Sequence, residues 1–462
     1  MKEHLIQSYI SAEQFLAEVP KFTKKNPLEN TKGFYEFIQN CEDGKYCEER
    51  LGKIIHVAGT NGKGSVCAYL QSICTECGYR TGMFTSPHLV TTRERFSINK
   101  EILSEEEFVE AFHWLADQVT AYHAIQPDYN PTYFERLFFM GIYVFAKAQI
   151  DILILETGLG GRLDTTNIIK NPILTVITEI GMDHMEYLGN TIEKIATEKA
   201  GILKPGVTVI FSDRKKTASA VICKKAEELG CKCYAVSEND YKINEIQKKF
   251  IDFSVASRYY DYGRLFIRTT AVYQVENAAI AICASELLKR ECGFEKITTA
   301  SIKIGIEKMY WACRMEEVQP RVFIDGAHNE DGIAAFVQSL RQAPYDTDKK
   351  NEFDKRCVLI FSVVKDKQYD KMIEMLCGLS MVTDFVITQI PGERGANLAE
   401  LRSIFGKCAG KNVRGIYTYE KIEDAVAFGL SIKEKFGRVY IVGSLYLAGI
   451  VEDLFASSSG TT

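Results

Sequence analysis

The sequence predicts an α/β protein with a mainly parallel sheet, followed by a second and smaller α/β series. Short apolar stretches such as Asp151–Glu156 alternate with helical patterns. A glycine-rich loop also lies between the apolar stretch Ile54–Ala58 and a helix predicted over Val66–Cys77. Apolar strands that alternate with helices are typical of a parallel sheet covered on both faces. Ligands of such sheets gather at the carboxyl ends of the strands.

Further elements continue this pattern along the chain. A third buried strand is predicted over Ile173–Thr178, and the loop Gly181–His184 follows it. Residues 251–255 and 264–268 are predicted to form a small antiparallel pair, with a helix over Val275–Lys289 after it. The strands predicted for the second series are 321–325, 357–363, 384–389 and 438–443.

Length and pattern divide the chain into two domains. A chain of 462 residues is too long for one ordinary hydrophobic core. The α/β pattern breaks at Met309 and resumes after Pro320. We therefore predict a first domain over 1–308, a linker over 309–320 and a second domain over 321–462. The final Ser-Ser-Ser-Gly-Thr-Thr is expected to be frayed.

Composition argues against several classes of partner. The chain is 46% hydrophobic and 25% charged, with a net charge of −5, which is an ordinary balance for a soluble globular protein. This balance does not favour nucleic acid or an anionic membrane. Residues 1–18 lack the apolar core of a signal peptide, and no apolar run is long enough to span a bilayer. We expect a cytoplasmic monomer.

The cysteines fit a reducing compartment. The chain has 14 of them, scattered through predicted helices and strands, where cysteine behaves as a small hydrophobic residue. Two close pairs, Cys74/Cys77 and Cys231/Cys233, lie too far apart in sequence for a zinc ribbon or finger. We interpret them as structural thiols.

The glycine-rich loop is a candidate phosphate site. Glycines let backbone N–H groups turn towards phosphate oxygens, and the N-terminus of the next helix adds partial positive charge. The loop is not a strict P-loop, because Gly64 separates Lys63 from Ser65. The alternative is a simple strand-to-helix turn with a surface lysine. The loop comprises Gly59, Thr60, Asn61, Gly62, Lys63, Gly64 and Ser65.

A second glycine-rich segment, Gly158–Gly161, does not complete a dinucleotide fingerprint, because Leu163 stands where the third glycine would be. We interpret it as a loop that lets the backbone approach a ligand. Glu156 ends a buried strand just before it, where a carboxylate needs a cation or hydrogen bonds. Imidazole is an unusual Mg²⁺ ligand, so chemistry alone leaves His184 open between metal ligand and hydrogen-bonded loop residue.

Lys199 has an ordinary interpretation as well. Asn190 is a plausible helix N-cap with Glu193 at the third helical position, and Gly201 is a plausible residue just past the helix end. A lysine in the last turn complements the helix dipole. From these residues alone, Lys199 is a surface cation at the end of a helix.

Taken together, the motifs resemble the folylpolyglutamate synthase and dihydrofolate synthase family of Mur-type ligases. The resemblance covers nearly the whole chain. It implies a P-loop-containing Mur ligase central domain, followed by a Rossmann-like α/β C-terminal domain that carries the glutamate ligase part. The matching segments are 59–65, 85–89, 93–99, 156–167, 181–184, 198–206, Gln274 and Asn277, Asp325–Asn329 and Gly443–Leu447.

The resemblance also implies cofactors, substrates and roles for individual residues. ATP, two Mg²⁺ ions and, as a further candidate, a monovalent cation would act with folate or dihydropteroate and L-glutamate. Lys63, His184 and a carbamylated Lys199 would be catalytic. The nucleotide would be held by the loop 59–65 and by Asn277, Arg314, Asp325 and His328. Mg²⁺ would be bound by Ser65, Ser86, Glu156, His184 and Lys199, and the folate side would be lined by Ser86, Pro87, His88, Thr132, Phe134, Glu135 and Asp164.

The chain departs from the family pattern in the linker. Ala312 and Cys313 stand before Arg314, where the family usually has Pro-Gly. Asp325 is also followed by Gly-Ala-His, where Gly or Val is usual at the middle position. The first departure could change the hinge geometry and the approach of Arg314 to ATP.

The implied reaction activates a carboxylate with the γ-phosphoryl group of ATP, and the amine of glutamate then attacks the acyl phosphate. Two rivals stay open. One is another Mur-type ligase that acts on a UDP-sugar, although only about fifty residues precede Ile54, which is short for a nucleotide-sugar domain. The other is a nucleotide-binding switch without catalysis, which would not release ADP in response to glutamate.

Overall fold

The computed structural model describes residues 6–19, 26–343, 356–434 and 437–459. The helices are α1 (Tyr9–Glu18), α2 (Leu28–Asn40), α3 (Lys63–Glu76), α4 (Glu105–Tyr122), α5 (Tyr133–Ala148), α6 (Met185–Leu188), α7 (Ile192–Ala200), α8 (Lys216–Glu228), α9 (Tyr273–Cys292), α10 (Thr299–Lys308), α11 (Glu330–Gln342), α12 (Tyr369–Cys377), α13 (Leu398–Cys408), α14 (Ile422–Ile432) and α15 (Leu445–Ser459).

In the described part of the chain, the strands form three sheets. They are β1 (Lys53–Ala58), β2 (Thr81–Phe84), β3 (Phe96–Ile98), β4 (Glu101–Ile102), β5 (Ile152–Glu156), β6 (Leu174–Ile177), β7 (Val209–Ser212), β8 (Cys233–Val236), β9 (Tyr241–Ile246), β10 (Ile251–Ala256), β11 (Asp261–Ile267), β12 (Glu316–Gln319), β13 (Val322–Ile324), β14 (Cys357–Phe361), β15 (Val382–Thr388), β16 (Gly415–Tyr419) and β17 (Arg438–Val442).

The first sheet has eight strands in the order β4-β3-β2-β5-β1-β6-β7-β8. The pairs from β2 to β8 are parallel, and the edge strands β3 and β4 pair antiparallel. Every residue of β5, β6 and β7 is buried. Because successive side chains point to opposite faces, continuous burial means that both faces of the sheet are covered, as predicted.

The order of the central strands determines where polar residues meet. Strands β2, β5, β1 and β6 are consecutive neighbours and run parallel. The segments that leave their carboxyl ends therefore meet at one edge of the sheet. These segments begin with Thr85 after β2, Thr157 after β5, Gly59 after β1 and Thr178 after β6.

The second large sheet has six strands in the order β12-β13-β17-β14-β15-β16. Its pairs are parallel except for β12 with β13. The α/β series predicted after the linker is therefore confirmed. The remaining sheet has the order β11-β10-β9, so the two strands predicted there have a third neighbour.

The described chain forms two compact units. Of the described residues, unit 1 comprises those within 1–241, 255–262 and 277–309, and unit 2 comprises those within 242–254, 263–276 and 310–462. The domain over 1–308 predicted from the sequence thus includes two segments that pack within unit 2. The linker predicted over 309–320 contains β12, which pairs with β13, so part of it is a regular strand.

Local chemistry corrects two details of the sequence interpretation. The N-cap of α7 is Thr191, whose hydroxyl accepts from the N–H of Lys194, rather than Asn190. Gly201 has φ −63 and so lies in the right-handed region, not in the left-handed conformation expected just past a helix end.

The tail predicted to be frayed is helical up to Ser459, and residues 460–462 lie outside the described residues.

The apolar helices belong to the protein interior. Helix α5, for example, buries most of its residues in a core that also includes Phe34, Phe84 and Phe108. Among the described helices, none combines the length and the apolar character needed to cross a bilayer.

Close packing of α10 against α3 gives a test of the first unit. A Cβ on Gly305 would lie 2.5 Å from Cα of Ile73, and Ser72 Oγ donates to the carbonyl of Gly305 at 2.8 Å. Gly305→Ala should destabilise unit 1 by about 1–3 kcal/mol, because backbone atoms cannot move aside. Chemical denaturation measures the loss.

A matched control is Gly406→Ala in α13, where an added Cβ meets nothing within 4 Å. This change should stabilise unit 2 by about 0.5–1 kcal/mol, because alanine is the better helix former. Equal stability of the Gly305→Ala protein and the unchanged protein would contradict the packing of α3 on α10.

Candidate active site

The glycine-rich loop adopts a conformation that requires glycine at two positions. Gly59 has φ +155 and Gly62 has φ +83. A Cβ on Gly59 would lie 1.8 Å from Thr178 Oγ1, and one on Gly62 would lie 2.3 Å from Asn277 Oδ1. Both backbone angle and contact therefore exclude a larger residue at each position.

Helix α3 begins at Lys63, three residues before the predicted start at Val66. The N–H groups of its first turn, which includes Gly64 and Ser65, have no partner within the helix. They add to the partial positive charge of the helix N-terminus. This arrangement can bind an anion such as a phosphate group.

The loop is held in place by the segment that leaves β6. The N–H groups of Thr60 and Asn61 donate to the carbonyl of Glu179 at 2.8 and 3.2 Å. Thr178 Oγ1 donates to the carbonyl of Asn61 at 2.6 Å, and Thr60 Oγ1 donates to the carbonyl of Gly181 at 3.2 Å. The loop is thus preorganised before any ligand binds.

The Lys63 ammonium and the Glu156 carboxylate face each other at the strand ends. Lys63 Nζ lies 3.9 Å from Glu156 Oε1 and donates to the carbonyl of Thr60 at 3.1 Å. The other oxygen of Glu156 accepts from the N–H of Ser86 at 3.0 Å. Glu156 is 3% exposed, so the cation and this N–H offset the desolvation of a buried carboxylate.

Two buried hydroxyls lie at the same edge of the sheet, Ser65 in the first turn of α3 and Ser86 after β2. Ser65 Oγ and Ser86 Oγ have no hydrogen-bond partner among the described residues. A buried hydroxyl without a partner costs free energy unless a ligand satisfies it. Hydroxyl and carboxylate oxygens, such as those of Ser65, Ser86 and Glu156 at this sheet edge, are the ligand type that Mg²⁺ prefers.

Lys199 is not a surface cation. Its side chain is 4% exposed, and Nζ donates to the carbonyl of Gly59 at 2.6 Å. Burial, with a further contribution from the charge of Lys63, lowers the pKa of Lys199 to about 7, although Asp183, Asp164 and Glu156 act in the opposite direction. The ordinary interpretation from the sequence is therefore wrong, and the amine lies directly behind the phosphate loop.

His184 lies beside a buried carboxylate. It has φ +48, is exposed, and its Nε2 lies 3.9 Å from Asp183 Oδ2. Asp183 is buried, and its Oδ1 accepts from the N–H of His184 at 2.8 Å. Asp183 belongs to the same segment as His184, and the sequence analysis gave it no role.

On the predicted folate side, several side chains have local partners. Thr132 caps α5 in a reciprocal pair with Glu135, and Glu135 also accepts from Thr31 and Asn26. Asp164 caps the turn that begins at Thr165. These contacts assign local structural roles to the polar groups, and their substrate role stays a prediction.

Two of the remaining folate-side residues differ in their surroundings. The ring of Phe134 lies against Gly158, where a Cβ would be 2.6 Å from the ring. His88 Nδ1 accepts from Arg95 Nε at 3.0 Å, which leaves the proton of a neutral imidazole on Nε2. Pro87 precedes His88 in the same loop and follows Ser86.

In unit 1, Asn277 on α9 is buried and its amide oxygen lies against Gly62. The structure therefore brings Asn277 to the phosphate loop, as the resemblance implies for a nucleotide-binding residue. The sequence separates the two by more than two hundred positions.

In unit 2, Asp325 follows β13 and is buried. Its Oδ2 accepts from the Tyr273 hydroxyl at 2.6 Å and from the N–H of Met315 at 3.0 Å. Burial raises the pKa of Asp325, although these hydrogen bonds and the charge of Arg314 oppose the shift. Tyr273 was not singled out from the sequence, because nothing in its local pattern marks it.

Arg314 lies beside the turn that follows Asp325. Arg314 Nη1 donates to the carbonyl of Cys313 at 2.8 Å, and it would lie 2.5 Å from a Cβ on Gly326. His328 Nδ1 lies 2.8 Å from the carbonyl of Gly326. The absence of a side chain at Gly326 thus leaves room for the Arg314 guanidinium. Arg314, Asp325 and His328 lie close together in unit 2.

The departure at Cys313 has a structural counterpart. Cys313 has φ +56, a left-handed conformation that glycine adopts readily and other residues adopt at a cost. Its side chain is buried, its N–H donates to Glu316 at 2.8 Å and its thiol lies 3.4 Å from Glu452. The backbone geometry that suits glycine is therefore kept with a cysteine.

The chain resembles known families and proteins along most of its length. Residues 57–285 match the Mur ligase middle domain, and residues 313–445 match the Mur ligase glutamate ligase domain. Dihydrofolate synthase/folylpolyglutamate synthase of Bacillus subtilis is 35% identical over 408 residues, which covers 86% of this chain and 89% of that protein. Folylpolyglutamate synthase of Lacticaseibacillus casei is 31% identical over 71% of this chain and 75% of its own.

Solved structures agree with these relatives. E. coli FolC in complex with DHPP and ADP has a TM-score of 0.81 at 25% identity, over 98% of this chain and 99% of its own. Mycobacterium tuberculosis folylpolyglutamate synthase complexed with ADP has a TM-score of 0.82 at 25% identity, over 97% and 98%. The fold, the family domains and the identity over most of both chains lead to one conclusion: the chain belongs to the dihydrofolate synthase/folylpolyglutamate synthase family of Mur-type ligases, which are ATP-dependent and form C–N bonds.

Proposed function

We propose that the protein joins L-glutamate to the carboxylate of a folate, with ATP converted to ADP and phosphate. One observation carries the proposal. The N-terminus of α3 and the Lys63 ammonium lie at the same sheet edge as the Glu156 carboxylate, with Lys63 Nζ 3.9 Å from Glu156 Oε1. This arrangement combines a phosphate cradle with a buried anion that a metal can use.

The acceptor extends the proposal. The Bacillus subtilis relative carries both activities in its name, and E. coli FolC has been solved with DHPP. We therefore include dihydropteroate beside reduced folates. The protein acts on these small molecules as a cytoplasmic monomer.

Mg²⁺ fits the residues at this edge. The orphaned hydroxyls of Ser65 and Ser86 and the carboxylate of Glu156 supply oxygen ligands. When bound, Mg²⁺ neutralises phosphate charge as a Lewis acid. His184, beside the buried Asp183, completes the proposed ligand set on the β6 side.

The reaction follows from these groups. The folate carboxylate attacks the γ-phosphorus of ATP, the bond from that phosphorus to the bridging oxygen breaks, and ADP leaves. Lys63 and the first-turn N–H groups of α3 stabilise the charge on the phosphoryl oxygens. The glutamate amine then attacks the acyl carbon, and the tetrahedral intermediate expels phosphate as the amide forms. The protein contributes mainly positioning and electrostatic stabilisation.

Lys199 supports the metal site as a carbamate. The ammonium first releases one proton, and the neutral amine then adds to the carbon of CO₂ and releases a second proton, so the cation becomes an anion. The lowered pKa of about 7 keeps a substantial share of the amine neutral near physiological pH. A buried carbamate needs a divalent cation nearby, and the oxygen donors of Ser65, Ser86 and Glu156 are the proposed partners of that cation.

Residues of unit 2 and of α9 serve the nucleotide. Asn277 lies against the phosphate loop, and Arg314, Asp325 and His328 supply a cation, a buried carboxylate and an imidazole in unit 2. Phe134 offers an aromatic face to the pterin side, next to Gly158.

The direct experiment is ADP release with ATP, Mg²⁺ and glutamate, against a panel of reduced folates and dihydropteroate. The proposal expects release that depends on both glutamate and acceptor, with an amide product of matching mass. Release with a UDP-sugar acceptor instead, or binding of nucleotide with no release at all, would favour the rival ligase or the switch.

Lys63→Ala should reduce kcat by about 100- to 1000-fold, because it removes a preorganised cation from the phosphoryl site. The protein should stay folded with a lower melting temperature, since the buried Glu156 carboxylate loses the cation that offsets its desolvation. Turnover and thermal melting are measured on the same sample. Lys147→Ala, which breaks an exposed pair with Glu110, is the control and should keep normal turnover. Near-normal turnover in Lys63→Ala would contradict the proposal that the loop 59–65 and Lys63 bind the phosphates of ATP.

Glu156→Gln should sharply raise the Mg²⁺ concentration that gives half-maximal activity. The amide has the same shape and can still accept from the N–H of Ser86, but it carries no charge for the metal. Mg²⁺ titrations of activity measure the change. Glu76→Gln, at a partly exposed carboxylate that pairs with Lys308 and Lys100, is the matched control. An unchanged Mg²⁺ dependence would show that Glu156 is structural.

Lys199→Ala should lose most activity, and bicarbonate should stimulate only protein that keeps Lys199. Acetate or formate should restore a small part of the activity of the alanine variant by replacing the carbamate. Carbamate formation should increase as the pH rises through about 7, because deprotonation gives the reactive neutral amine. Mass spectrometry of trapped carbamate and activity assays measure these effects. Full activity of Lys199→Ala without added acid contradicts this role.

A further inference from the structure

A buried histidine lies directly upstream of the phosphate loop. His56 is on β1, in register with Leu155 on β5 and Thr175 on β6, and its side chain is fully buried. Its Nε2 lies 2.8 Å from Thr166 Oγ1. Neither the reaction described above nor the sequence motifs assign this side chain a purpose.

The direction of the hydrogen bonds fixes the tautomer of His56. Thr166 Oγ1 lies 2.6 Å from Asp164 Oδ1, and an ionised carboxylate only accepts, so the single hydroxyl proton goes to Asp164. His56 must then donate to Thr166 from Nε2. Its Nδ1 is unprotonated and buried, without a hydrogen-bond partner among the described residues. Burial, together with the charge of Lys204, lowers the pKa of His56 to about 3, which agrees with a neutral ring.

Asp164 closes the glycine-rich segment that starts at Gly158. Its Oδ2 accepts from the N–H of Leu159 at 2.7 Å, and its own N–H donates to the carbonyl of Gly161 at 3.0 Å. Its Oδ1 accepts from both the N–H and the hydroxyl of Thr166. The carboxylate thus ties the two ends of the loop 158–164 together.

This loop packs against the last turn of α7. The N–H of Arg162 donates to the carbonyl of Glu198 at 2.7 Å, and the Arg162 side chain also pairs with Glu198 at 2.9 Å. A Cβ on Gly161 would lie 2.7 Å from the carbonyl oxygen of Glu198 and 3.0 Å from Cα of Lys199. Gly161 is therefore needed for the close backbone contact with Glu198 and Lys199.

We propose that His56 is a positioning residue for Lys199, acting through Thr166, Asp164 and the loop 158–164. The chain of hydrogen bonds starts three residues before Gly59, the residue whose carbonyl accepts from Lys199 Nζ. The backbone of Lys199 is thus held by the loop 158–164, which His56 of β1 supports through Thr166, and its amine is held by the carbonyl of Gly59, which follows β1. The inference deepens the proposed function, because it explains what holds the Lys199 side chain behind the phosphate loop.

Two pairs of variants test this relay, the hydrogen-bonded series from His56 through Thr166 to Asp164. His56→Leu and Thr166→Val each remove a donor, and both should lower kcat by about 10- to 100-fold through misplacement of Lys199. The KM for ATP should stay within about twofold, because the first-turn N–H groups of α3 that cradle the phosphates are untouched. His56→Gln, whose amide N–H reaches the place of Nε2, and Thr166→Ser should recover most of the loss.

The double variant His56→Leu/Thr166→Val should be no slower than either single variant, because both interrupt one pathway. Thr175→Val is the matched control. Thr175 is a buried threonine on β6, the strand next to β1, and its hydroxyl donates to the carbonyl of Thr208 rather than to Asp164. The Thr175→Val variant should therefore keep a normal kcat. Additive losses in the double variant, or normal kcat in a folded His56→Leu protein, would overturn the proposal.

Histidine NMR gives a readout that does not depend on turnover. In protein labelled with ¹⁵N-histidine, one of the seven rings should be neutral from about pH 5 to 8 with its proton on Nε2. Its signal is assigned by its absence in His56→Gln. A protonated ring or an Nδ1–H tautomer would overturn the relay. This result is separate from the proposed function, which fails if the unchanged protein forms no amide with any acceptor.

Discussion

The parallel order β2-β5-β1-β6 is the constraint on which the rest of the site depends. It places the segments after four strands at one edge, although the chain separates them widely. Ser86, Glu156, the phosphate loop and the segment 178–184 become neighbours only because of this order. Helix α3 then begins at the same edge, so that its N-terminus and Lys63 face the carboxylate of Glu156.

Buried charge in this region is arranged to be satisfied by ligands as well as by protein. Lys199 is almost completely buried and donates to a loop carbonyl, and Glu156 receives a backbone N–H and a cation at 3.9 Å. An uncompensated buried ion costs several kcal/mol, so such a cluster is retained where it has a chemical use. The hydroxyls of Ser65 and Ser86, which have no hydrogen-bond partner among the described residues, could likewise be satisfied by a metal ion or a phosphate group.

The sequence predicted those parts of the fold that have a strong local signal. The strands β1, β5 and β14 were recognisable because burial on both faces makes them almost continuously apolar, with His56 in β1 and Glu156 at the end of β5 as buried polar exceptions. The glycine-rich loop was recognisable from its composition. Short strands such as β3 and β4 were missed, since two or three residues carry no period. The start of α3 was placed too late, because Lys63 and Gly64 look like loop residues until Gly62 is seen as the N-cap.

Other features depend on tertiary contacts that no local pattern contains. Lys199 looks like a surface lysine in its helix, and only the packing of α7 beneath the loop shows that it is buried. The links of Tyr273 to Asp325, of Asn277 to Gly62 and of His56 to Thr166 join positions that lie far apart in the chain. Asp183 is the exception, because it lies inside a recognised motif and could have been singled out as a buried carboxylate after a strand.

The central claim is that the phosphate loop and Lys63 activate a carboxylate as an acyl phosphate. The most direct measurement uses a folate acceptor with ¹⁸O in the reacting carboxylate, followed by mass analysis of the released phosphate. In the proposed reaction one carboxylate oxygen becomes the bridging atom and leaves with phosphate, so each phosphate should carry one ¹⁸O. Phosphate without ¹⁸O, formed together with the amide product, would contradict the account.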